Sequence, residues 1–130
     1  CIRDMYDTPD LDLDIYAGLT FSYSGMHIDS LVRTYAAYVL VDRPELGPWY
    51  FSHDNKINHL DIRLELALAD FNMGYFVSCR DNLQSIYNDT YYQSFPSNNP
   101  KALTMNVETV SGRAELAQIL QSLQQTLKNI

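Results

Sequence analysis

The sequence predicts a mainly α-helical domain, and two apolar stripes carry that expectation. Residues 60–73 set Leu60, Leu64, Leu68 and Phe71 on one helical face, with Leu66, Ala67 and Ala69 widening it. Residues 111–130 set Leu116, Ile119, Leu120, Leu123, Leu127 and Ile130 on another. The length of 130 residues and the 46% hydrophobic content suit one domain with a single core.

Taken in order, residues 1–10 read as an N-terminal tail and 11–130 as one helical domain. From Leu11 to Tyr23 the apolar residues alternate, which is a strand signal. The same stretch also forms a helical face of Ile15, Gly18, Leu19 and Ser22. Gly18 and the Thr-Phe-Ser-Tyr-Ser run depress helix propensity, so locally the strand is favoured. Asp29 or Ser30 caps a helix to about Val41, with Leu31, Tyr35, Tyr38 and Val39 on one side and Pro44 closing it. Residues 45–59 are a connector, with a turn signal at Asp54-Asn55. After the helix over 60–73 comes a break at Met73-Gly74, then a helix from Tyr75 to Tyr87 with Phe76, Cys79, Leu83 and Ile86 inward. Tyr91–Lys101 reads as a loop. Leu103, Met105 and Val107 alternate, which predicts a short strand near 102–110.

An internal repeat underlies part of this pattern. Laying 12–44 over 61–93 matches Gly25 with Gly74, Ala17-Gly18 with Leu66-Ala67, and Ser30 with Cys79. Small residues at such places let two antiparallel helices approach, and the glycine lets the chain reverse. The positions resemble the tetratricopeptide repeat. The later copy carries Leu66-Ala67, Phe71, Gly74, and Cys79 with Leu83; the earlier carries Ala17-Gly18, Phe21, Gly25, Ser30, Ala37 and Pro44. Both depart from the pattern: Asp70 stands at an aromatic position in the later copy, Ala17 and Thr34 replace expected Leu and aromatic in the earlier, and the copies lie further apart than the usual spacing of about 34. The resemblance implies two antiparallel helical hairpins whose first helices line a concave face, with Tyr23, Leu64, Leu68, Phe71 and Asn72 beside a bound partner segment. A stack of two copies needs a cap. The helix over 112–130 supplies it, packing on the 75–87 helix with Leu120 and Leu123 central.

Motifs for chemistry are sparse. The five glycines are scattered singly, so no phosphate-binding loop or dinucleotide fingerprint exists. His27, His53 and His59 form no zinc pair, and Asp10, Asp12 and Asp14 lack the glycine and glutamate of a calcium loop. Acids at a helix start account for that run. Asn88-Asp89-Thr90 is a glycosylation triplet. No metal or cofactor is expected.

Nine Lys and Arg against sixteen Asp and Glu give a net charge of -7, which disfavours nucleic acid and anionic lipid as partners. The ten tyrosines suit protein contacts. The chain opens on Cys1, which fits a lipidated cysteine of a bacterial envelope lipoprotein, a chain boundary, or a disulfide with Cys79. The expectation adopted is a non-catalytic protein-binding domain, held to membrane only through a lipid anchor at Cys1. Its place is the cell envelope, at the periplasmic face of the outer membrane, or outside the cell. By analogy with pilotins, such a lipoprotein scaffolds or escorts a secretion or pilus component. Two rivals stand: a structural subunit of a surface assembly, and a small enzyme using His53, His59 and acidic neighbours.

Overall fold

In a computed structural model, residues 9–42, 49–50, 56–57 and 59–128 are described, with side chains over 15–40 and 59–128. The long elements are α1 (Pro9–Gly25), α2 (Asp29–Asp42), α3 (His59–Asn72), α4 (Phe76–Asn88) and α6 (Val110–Lys128). Between α2 and α3, β1 (Trp49–Tyr50) and β2 (Lys56–Ile57) pair antiparallel, with Trp49 opposite Ile57. A short α5 (Thr90–Gln93) follows α4. The fold is mainly α: α1–α2 and α3–α4 are antiparallel hairpins, and α6 closes over the second. The turn expected at Asp54-Asn55 lies outside the described residues.

The stretch after Leu11, where local signals favour a strand, is helical throughout. Packing decides it, because α1 lies against both α2 and α3. Ala17 and Ala36 are fully buried there with Val39, Leu40 and Ile62, small side chains drawing the helices close. Thr20 is also fully buried, and its hydroxyl donates to the Tyr16 carbonyl at 2.8 Å, so no polar group is stranded.

The hairpin turns are alike, but two residues out of step with the Gly25–Gly74 match. Gly74 has φ 84 and its true counterpart is His27, with φ 59. The amide of His27 donates to Ser24 O and that of Ile28 to Tyr23 O, as Gly74 donates to Phe71 O and Tyr75 to Asp70 O. Each is a Schellman cap, in which the residue past the helix takes the left-handed conformation. In this corrected register the buried residues coincide: Ala17 with Leu64, Thr20 with Ala67, Val32 with Cys79, Ala36 with Leu83, Val39 with Ile86. Ser30, matched to Cys79 from sequence, is exposed.

The main core joins Leu60, Leu64 and Ala67 of α3 to Cys79, Leu83 and Ile86 of α4 and to Leu116, Ile119, Leu120, Leu123 and Leu127 of α6. The stripe of α6 is therefore consumed in the fold: α6 packs on α4 as expected, and more extensively on α3. Ile130 lies outside the described residues. The strand expected near 102–110 is not one. Leu103, Met105 and Val107 are buried in alternation, as the pattern said, but α4 and α6 side chains hold the backbone. Gln84 Oε1 accepts from the Leu103 amide at 2.8 Å, and Arg80 and Arg113 donate to the carbonyls of Met105 and Val107. The loop expected from Tyr91 opens as α5, because Asp89 caps it through the amides of Tyr91 and Tyr92.

Candidate functional site

Helix α3 is the centre of the molecule, packed on α1, α2, α4 and α6. It buries His59, Leu60, Ile62, Leu64, Ala67, Ala69 and Asp70. Asp61, Glu65, Leu68 and Asn72 follow one another at four-, three- and four-residue steps, which puts them on one face. The first three are half-buried and Asn72 is exposed. This face lies alongside the first hairpin: Ser24 of α1 donates to Glu65 Oε2 at 2.6 Å, and Asn72 donates to Asp29 of α2 at 3.4 Å. Burial raises the Glu65 pKa, the Ser24 bond opposes that, and Asp61 one turn away raises it further.

On the opposite side of α3 the polar groups are spent on one another. Asp70 is fully buried and accepts from Arg33 Nε of α2, Ser78 Oγ at 2.6 Å and Asn82 Nδ2 at 2.9 Å. The Arg33 guanidinium also sits 4.4 Å over the Tyr75 ring. Arg63 donates to Asn82 Oδ1, and burial lowers its pKa while Asp89 opposes that. An open cavity of about 580 Å³ over this cluster is walled by Arg33, Tyr75, Ser78 and Asn82. Arg33, Ser78 and Asn82 in its wall are turned to Asp70, which makes the cluster a joint between hairpins.

The sequence-predicted site residues separate in space. Leu68 and Asn72 share one face of α3, where Leu68 is half-buried against the main core and Asn72 is exposed. Leu64 is only 8% exposed in the main core, because its position turns toward α4 and α6, and it is not available to a partner. Phe71 packs half-buried against the same core, edge-on to Phe76 at 5.3 Å. Tyr23 stacks on Tyr35 at 5.7 Å, facing α2 rather than the α3 face. Tyr35 in turn meets Tyr16 and Tyr38, a cluster on the outside of the first hairpin where Tyr38 is 50% exposed. Cys1 lies outside the described residues. Ser24, Asp61 and Glu65 lie off the apolar stripes, and the polar spacing along 61–72 is the one sequence signal that marks the last two.

His53 lies outside the described residues. His59 is fully buried with Nε2 2.7 Å from Asp89 Oδ2, tied to the cap of α5. Cys79 is a free thiol inside the core, its pKa pushed up to about 12 by burial and then by Asp70, so it is held protonated and unreactive. Among the described residues no group of three His, Cys, Asp or Glu could hold a metal ion, and no helix is long and apolar enough to cross a membrane. No protein-family model matches the chain, and searches of curated proteins and of solved structures return no match.

Proposed function

We propose that this is a protein-binding domain of tetratricopeptide-like architecture, which lays a segment of a partner chain along the open face of α3. The observation that carries the reading is the stripe Asp61, Glu65, Leu68 and Asn72 on the most heavily packed helix of the fold. A rigid helix, held by four neighbours, presents these side chains without further ordering cost, which favours recognition. The stacking pattern supports the architecture, since the first helix of each hairpin meets the next one: α1 meets α3, and α3 meets α6. Scaffolding or escort of the bound chain is the work such a face suits. A second reading, a structural subunit, draws on the exposed Ile15 and Tyr38 beside the tyrosine cluster. The α6 stripe is buried in the core and offers such a subunit no contact surface.

Selection from a displayed library of random short peptides tests the main reading. Enriched peptides are expected to lose binding to Leu68→Arg and to keep it for Ser85→Arg, a change on the exposed side of α4. Peptides that bind both variants equally would place recognition elsewhere. A concentration-dependent dimer abolished by Tyr38→Glu would instead favour the subunit.

A further inference from the structure

We propose that the segment held on the α3 face is basic, an extended chain that sets an apolar side chain on Leu68 and a lysine or arginine against Glu65. The inference rests on the binding reading above and adds the chemistry of the partner.

Three observations carry it. First, the described arginines are committed elsewhere. Arg33 is bound to Asp70 and Tyr75, Arg63 to Asn82, Arg80 to the Met105 carbonyl, and Arg113 to the Val107 carbonyl and the Phe76 ring. Second, among the described residues no cation stands within ion-pairing distance of Glu65, whose one hydrogen-bond donor is the neutral Ser24. A carboxylate half withdrawn from water gains from a cation more than a fully solvated one does. Asp61, one turn away, raises the Glu65 pKa further, after burial. Third, the chain's net charge of -7 draws in a basic segment and repels an acidic one. The part of Leu68 that the main core leaves uncovered, between Glu65 and Asn72, supplies the apolar anchor, and the exposed Asn72, whose Nδ2 reaches Asp29 at 3.4 Å, offers its carboxamide oxygen to an extended backbone.

Short fluorescent probe peptides with a central leucine, flanked by either lysine or glutamate, test this by anisotropy. The lysine probe is expected to bind the wild type, more weakly as salt rises. Glu65→Lys should weaken it at least about tenfold, and the glutamate probe should not bind. Should Glu65→Lys fail to fold, Glu65→Gln keeps an acceptor for Ser24 and is expected to weaken the lysine probe several-fold. If both probes bind alike, ignore Glu65 and are lost with Leu68→Arg, the basic partner is overturned while the binding face stands. If neither probe binds up to ~1 mM, or Leu68→Arg changes nothing, the face and the partner chemistry fall together.

Discussion

His27 and Gly74 show how little of a turn is written in residue type. Both take the left-handed conformation past a helix end, yet only one is glycine. A side chain there meets the following carbonyl and costs about 1–2 kcal/mol, somewhat less for residues such as His that tolerate the region. His27→Gly is therefore expected to stabilise the chain by about 1 kcal/mol, and Gly74→Ala to destabilise it by a similar amount. Gly25 is different: it ends α1 with φ outside that region, and a Cβ added to it meets nothing within 4 Å. Gly25→Ala should be neutral or stabilising by up to about 1 kcal/mol. Urea midpoints of the three variants decide between the registers. A loss for Gly25→Ala matching that of Gly74→Ala would restore the Gly25–Gly74 pairing.

Among the elements, α3, α4 and α6 were legible because each carries an unbroken apolar stripe at helical spacing. Helix α1 was not, because Gly18 and its Thr and Ser residues argue against a helix that packing on α2 and α3 imposes. The segment before α6 was half legible: its alternation gave the burial of Leu103, Met105 and Val107 but not its partners, which are side chains. That segment meets α6 at Gly112, which lies so close to it that a Cβ there would stand 1.8 Å from Asn106 O. Thr109 caps the helix at the same point, accepting from the Gly112 amide at 2.9 Å. Because the obstacle is backbone, Gly112→Ala is expected to cost about 1–3 kcal/mol, read as a lowered Tm. Leu123→Ala, removing a side chain 1% exposed in the core, should cost about 2–5 kcal/mol. If both variants melt like the wild type, α6 is not held where the fold places it.

At the scale of the whole molecule, α3 is the wall shared by two apolar clusters, giving Ile62 to the first hairpin's and Leu60, Leu64 and Ala67 to the main one. Asp70 ties both sides together through Arg33 of α2 and Ser78 and Asn82 of α4. Every strong polar demand there is met. Glu65 differs, since it is partly withdrawn from water and, among the described residues, has only a neutral donor in reach. The candidate site was only partly legible in sequence because apolar periodicity finds what a helix buries, and Glu65 stands out only through the cation it lacks among the described residues. Such a departure from local consistency is what binding surfaces impose on a fold, at some cost in stability. The cost has a pH signature. Burial raises the Glu65 pKa above its ordinary 4.5, so between the ordinary and the raised value the folded chain keeps a proton that the unfolded chain has released. Protonation favours folding in that window, and stability falls as pH rises through it. Glu65→Gln removes the charge and keeps an acceptor for Ser24. The variant is expected to be more stable than the wild type at neutral pH, with the two curves converging as pH falls below 4.5, where the unfolded carboxyl is protonated as well. Urea titrations of both chains across that range measure the difference directly. A wild-type advantage that grows with pH would mean the carboxylate is already compensated in the free chain, and the case for a cationic partner would lose its physical ground.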